Sequence, residues 1–125
     1  MTLNEFYREA DGNYTDVARR LCGPAVVYRF LRRYPNDNCM ELLQKGIEAV
    51  DREAAFRAAH TLKGVCLNLG LGRLGKLSTR MADILRPGNP YDAVRVIQLL
   101  PELQKEQNRL LKAIDELEEP EEPEK

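Results

Sequence analysis

Apolar residues recur every three to four positions through four long segments of this 125-residue chain, and no segment alternates in the two-residue rhythm of a strand. The first segment opens at Pro24, a residue suited to a first helical turn, and carries Val27, Phe30, Leu31 and Tyr34. Met40, Leu43, Ile47 and Val50 continue its stripe to Asp51. Pro35-Asn36-Asp37-Asn38 interrupts it, so residues 24–50 are expected as two collinear helical pieces. A second segment runs from about Arg52 to Leu69, and Gly70-Leu71-Gly72 predicts a turn after it. Leu74, Leu77, Met81 and Ile84 form the third stripe, which ends in the loop sequence Arg86-Pro87-Gly88-Asn89-Pro90. Val96, Leu99, Leu103, Leu110, Ile114 and Leu117 form the fourth, in which Pro101 is expected to kink the helix or restart it.

Two shorter stripes precede these. Leu3, Phe6, Tyr7 and Ala10 are closed by Asp11-Gly12, while Val17 and Leu21 follow a cap expected at Thr15 or Asp16 and end at Gly23-Pro24. Four long stripes with short connections predict an all-α fold, an up-down-up-down four-helix bundle with short N-terminal capping helices.

The length suits one hydrophobic core. Residues 1–118 are read as one domain, and residues 119–125, rich in glutamate and proline, as an acidic disordered tail. The net charge is −1, but residues 116–125 hold six Glu and one Lys, a local −5 that leaves residues 1–115 at +4. A mildly basic body suits an acidic protein surface, and its charge is too dispersed for a nucleic-acid footprint. No run of about 18 apolar residues exists to span a membrane. Cys22, Cys39 and Cys66 are odd in number and lack paired metal spacing, which points to reduced thiols in a cytoplasmic protein. A bundle with its own core is expected to be a monomer.

The second segment contains the chain's only histidine. At about 100° per residue, Ala55, Ala58, Leu62, Val65 and Leu69 cluster on one side, flanked by Ala59 and Cys66. Glu53, Phe56, Arg57, His60, Lys63, Gly64 and Leu67 lie roughly opposite. The imidazole therefore stands outside, midway along a helix whose other face is core. Lys63 and Gly64 are one turn ahead of it, and Phe56 and Arg57 one turn behind. The two cations favour a neutral, nucleophilic imidazole and offset the charge of a phosphoryl group placed on it. Gly64 costs about 1 kcal/mol against alanine in a helix interior, and suggests close approach to the backbone there. Phe56 and Leu67 would bracket the imidazole with apolar contact surface. Each feature also has a plain structural reading: a solvated histidine, a glycine that lets helices pack closely, and a core phenylalanine.

Ala59-His60-Thr61-Leu62-Lys63-Gly64, continued through Leu69-Gly70 to Leu74, resembles the signature of histidine-containing phosphotransfer (HPt) domains. That signature runs A-H-x-L-K-G, then small residues, L-G and a leucine-rich helix. The resemblance covers roughly residues 12–117 and is densest over 58–74. It implies that His60 is phosphorylated on Nε2, that Lys63 assists the phosphoryl group, and that Gly64 leaves room for a partner. It also implies partners: response-regulator receiver domains bearing an aspartate, a hybrid histidine kinase, or both. Any Mg²⁺ would then belong to the receiver's acidic pocket. Val65-Cys66 departs from the small residues usual there, a difference that bears on packing because both point towards the core.

No glycine-rich phosphate loop or zinc-ligand set is present, and Cys66 falls across the helix from His60. The chain is accordingly read as a phosphocarrier without its own ATP-dependent kinase activity and without a cofactor. Phosphoryl groups would reach His60 from receiver aspartates and return to them. The alternative is a helical interaction module that binds a receiver or other partner through the same face, Phe56 to Leu67, and is never phosphorylated. Only the phosphocarrier requires an intact imidazole beside Lys63.

Overall fold

The computed structural model describes residues 1–121, and among them all regular structure is helical. The α-helices are α1 (Leu3–Glu9), α2 (Tyr14–Arg20), α3 (Pro24–Arg33), α4 (Cys39–Glu48), α5 (Arg52–Leu69), α6 (Gly72–Leu85) and α7 (Ala93–Asp115). Helix starts follow local chemistry. Thr2 and Glu5 form a reciprocal capping box on α1, and Asp51 and Asp92 accept backbone N–H groups at the starts of α5 and α7. At α2 the cap is Asn13, whose side chain accepts from the Asp16 N–H, rather than Thr15 or Asp16.

The expected interruption of residues 24–50 takes the form of a 3₁₀ turn, Tyr34–Asn36, that extends α3. Extended backbone at Asp37 then ends it, and the Asp37 carboxylate accepts from the Cys39 N–H at 2.8 Å where α4 begins. Pro101 does not restart the last helix; α7 runs unbroken through it. Of the expected tail, residues 119–121 carry no regular structure, and residues 122–125 lie outside the described residues. Before it, the Met1 amino group donates to the Glu116 carbonyl at 2.9 Å, and the Glu118 N–H donates to the Met1 carbonyl at 2.8 Å.

α5 occupies the middle of the molecule. It packs against α4 and α6 and touches α3, while α6 and α3 each pack against α7. Leu62, Leu71, Leu74, Met81, Leu103 and Leu110 are among the side chains withdrawn from solvent in the shared core. Burying a leucine of this kind contributes about 2 kcal/mol. Gly46 brings α4 to within contact of the α5 backbone, since a Cβ there would lie 2.8 Å from the Ala55 nitrogen. At the other end of α5, a Cβ on Gly12 would sit 2.0 Å from the Gly70 carbonyl oxygen, so the α1–α2 turn rests backbone-on-backbone against the α5–α6 turn. Tyr7, buried beside it, donates its hydroxyl to the Leu69 carbonyl at 2.7 Å.

The polar groups inside are matched. The Tyr34 hydroxyl donates to Gln107 Oε1, and buried Glu106 receives both Nε and Nη2 of Arg109, at 3.0 and 2.8 Å. Among the described residues no buried side-chain nitrogen or oxygen lacks a partner.

α4 ends in a paired carbonyl-capping arrangement that normally carries glycine. The Val50 N–H donates to the Ile47 carbonyl and the Asp51 N–H to the Gly46 carbonyl, with Val50 left-handed at φ 52°. A β-branched residue is strained in that conformation, and Val50 is 79% exposed, so little packing offsets the strain. Val50→Gly should therefore stabilise the fold by about 1 kcal/mol, read as a higher urea midpoint at unchanged slope.

Candidate functional site

α5 is built to hold a side chain on its outer face. The Asp51 cap, Glu53 in the first turn and the alanines at 54, 55, 58 and 59 favour its start. Gly70 stops it in the left-handed conformation at φ 71°, with its N–H on the Cys66 carbonyl. Ala55, Ala58, Ala59, Leu62, Cys66 and Leu69 are buried. Val65 is half-buried, whereas Ala59 and Cys66, expected as flanks, are closed to solvent. The buried face is thus rotated slightly from the expected one, because α6 packs on the side where Cys66 meets Gly75.

His60 is exposed, near the middle of this anchored helix. The Phe56 and His60 rings stack with centroids 5.8 Å apart and 26° between their planes. Phe56 is half-buried rather than free on the surface. Arg57 is exposed and lies 3.8 Å from Glu53 of the preceding turn, so part of its charge is met within the helix. Lys63 is half-buried and forms no ion pair among the described residues.

Gly64 is exposed, and a Cβ built on it would meet nothing within 4 Å. Close helix packing therefore does not account for this glycine. Leu67, one further turn along, is 64% exposed. The face thus holds an imidazole, an open stretch of backbone and an apolar side chain in a line along one helix.

A groove of about 530 Å³ lies beyond Leu67, between α2, α5 and α6, and His60 does not line it. Among the described residues no three His, Cys, Asp or Glu side chains come together as a metal ion would require. No described helix is long and apolar enough to cross a membrane.

One contact at the site was not foreseen in the sequence. The Arg86 guanidinium, from the end of α6, lies 5.6 Å from the centre of the Phe56 ring. The Asp83 carboxylate holds it at 3.2 Å, and Arg52 donates to the Arg86 carbonyl. Helical spacing within α5 has no bearing on residue 86. The register of the α5–α6 hairpin does, because Leu71 in its turn lies midway between Phe56 and Arg86.

The cysteines offer no competing nucleophile beside His60. Cys66 faces the core, and burial pushes its thiol up to about 12. Burial, with a hydrogen bond to Asp37, pushes the Cys39 thiol up to about 12 as well. Cys22 is exposed. Native protein treated with iodoacetamide at pH 8 should gain one adduct, at Cys22, with Cys39 and Cys66 modified only after unfolding. Rapid modification of Cys66 in the native state would contradict its placement.

Comparison with curated proteins and with solved structures gives no match. Comparison with protein families gives one described as the Hpt domain, matched over residues 36–119. The match takes in α4 to α7, and with them His60 and its surroundings, and leaves α1 to α3 outside. Spanning more than half of the sequence, it places the chain in the Hpt domain family.

Proposed function

We propose that this chain is a histidine phosphocarrier of two-component or phosphorelay signalling. It takes a phosphoryl group onto His60 from the aspartate of a receiver domain and returns it to another. The observation that carries this reading is the pairing of exposed His60 with exposed Gly64, a helix-interior glycine with no packing role. The helix sacrifices propensity one turn from the imidazole, at the position where a docking surface would come closest.

In the forward step the Nε2 lone pair of a neutral His60 attacks phosphorus in line. The N–P bond forms as the P–O bond to the receiver aspartate breaks, and the electron pair leaves on the carboxylate. Nδ1 keeps its proton. The assignment of Nε2 follows the family resemblance. Docking supplies proximity, and charge on the transferring oxygens is met by Lys63 here and by a Mg²⁺ ion in the receiver. Of the expected partner contacts Phe56, Arg57 and Leu67, this reading keeps Arg57 and Leu67, which are exposed, and sets apart Phe56, which is half-buried, while Gly64 lets the receiver's loops reach the helix. His60 does not line the groove between α2, α5 and α6. In this reading the partner brings both the phosphoryl group and the enclosure.

The same reading takes residues 24–48, α5, α6 and α7 as an up-down-up-down bundle, with α1 and α2 as its cap. It also makes the protein a cytoplasmic monomer, working with receiver domains, a hybrid histidine kinase, or both, and without a cofactor of its own.

Incubation with a receiver phosphorylated on its aspartate should add one acid-labile, alkali-stable phosphoryl group to the wild-type chain and none to His60→Gln. An adduct that persists in His60→Gln would overturn the reading. Gly64→Gln separates function from fold. It should melt at or above the wild-type temperature, because glutamine is the better helix former by roughly 0.5–1 kcal/mol, while transfer falls at least about tenfold through a higher half-saturating receiver concentration.

A further inference from the structure

We propose that Phe56 and Arg86 are positioning residues for His60: the Phe56 ring is a platform that fixes the imidazole, and Arg86 fixes the platform. The proposal rests on the phosphocarrier reading and deepens it.

An exposed histidine on a helix samples several side-chain rotamers, and only some aim Nε2 away from the surface towards an incoming phosphorus. Exposure by itself does not select among them. The ring contact does. Phe56 lies one helical turn earlier, and its ring stacks near-parallel on the imidazole at 5.8 Å and 26°, a contact between ring faces that takes up neither nitrogen as a hydrogen-bonding group.

Phe56 is itself held. It is half-buried, and the Arg86 guanidinium lies 5.6 Å from its ring centre, in reach of a cation–π contact. Arg86 is fixed through its side chain by Asp83 and through its carbonyl by Arg52. Arg52 also donates to the carbonyls of Leu85 and Asn89, at 2.8 and 2.6 Å, which ties the first residue of α5 to the end of α6 and the loop after it. A chain of contacts therefore runs from the α6–α7 loop through Arg52, Arg86 and Phe56 to the imidazole.

Such an arrangement assigns Phe56 a different task from Leu67. Leu67 offers its side chain to solvent, whereas Phe56 is engaged by the histidine and by Arg86. A docking contact and a positioning contact leave different kinetic signatures. Loss of a docking contact raises the half-saturating receiver concentration, and loss of positioning lowers the maximal rate.

The test is transient kinetics of phosphoryl transfer from an aspartate-phosphorylated receiver that charges the wild-type chain. Phe56→Leu, Arg86→Gln, Phe56→Tyr and His60→Gln are compared with wild type. Phe56→Leu and Arg86→Gln should each lower the maximal transfer rate roughly 5–10-fold, with the half-saturating receiver concentration unchanged within about twofold. Phe56→Tyr, which keeps the stacking ring, should restore the rate. In ¹H NMR spectra of the unphosphorylated protein, the His60 ring protons should lose their ring-current displacement in Phe56→Leu and keep it in Phe56→Tyr, whatever the receiver. A raised half-saturating concentration at unchanged maximal rate would make Phe56 a docking residue and overturn the proposal. So would wild-type kinetics in both Phe56→Leu and Arg86→Gln. If the wild type takes no phosphoryl group, or His60→Gln still does, the phosphocarrier reading fails and this proposal fails with it. If the wild type is charged and His60→Gln is not, but Phe56→Leu and Arg86→Gln transfer as the wild type does, this proposal alone fails.

Discussion

Burial of one face of α5 is the constraint on which the rest of the molecule depends. Ala55, Ala58, Ala59, Leu62, Cys66 and Leu69 put mostly small side chains against α4 and α6, and Gly46 lets the α4 backbone come close enough to fill the space they leave. A helix gripped on that face has little freedom to rotate or slide, because either motion would open cavities in a close-packed core. The opposite face inherits that rigidity at no further expense. His60, Gly64 and Leu67 are displayed from a scaffold that does not need them for its own packing.

The ends of α5 are secured by different means. At its start, Asp51 caps the helix and Arg52 reaches across to three carbonyls at and beyond the end of α6. At its finish, Gly70 reverses the chain, the Tyr7 hydroxyl donates to the Leu69 carbonyl, and the α1–α2 turn rests against the α5–α6 turn at Gly12 and Gly70. α1 and α2, which lie outside the stretch matched by the Hpt family, thus brace the end of the helix beyond Leu67. The His60 face sits between two anchored ends, which suits the role proposed for it, since in-line transfer needs the acceptor held in one orientation.

Much of this was legible in the sequence, for identifiable reasons. The limits of α5 follow from an Asp cap and a left-handed glycine, both local signals, and the outward placement of His60 follows from helical periodicity. The phase of the buried face was less legible. Whether Val65 or the Ala59–Cys66 side is covered depends on where α6 lies, which α5 alone does not encode. Asn13 displaced Thr15 and Asp16 as the α2 cap because several residues able to cap a helix stand together there. Pro35 is followed by Asn36-Asp37-Asn38 and α3 gives way to a 3₁₀ turn there, whereas Pro101 stands within the apolar stripe Leu99 to Leu103 and α7 continues through it. The Arg86 contact with Phe56 crosses between helices and shows only when the hairpin is folded about Leu71. Gly64 moved the other way: several uses of a helix-interior glycine were open in the sequence, and the empty space around its Cβ position removes the packing one.

The central claim is that the imidazole of His60, displayed on an anchored helix, is the atom group that receives phosphorus from another protein. Phosphorus–proton correlation NMR on the chain, after charging by an aspartate-phosphorylated receiver, tests it most directly. The account expects one nitrogen-bound phosphorus signal coupled to both carbon-bound ring protons of His60, as attachment at Nε2 requires. A phosphorus signal coupled to any other residue, or an unmodified His60 spectrum after exposure to receivers that charge other carriers, would contradict it.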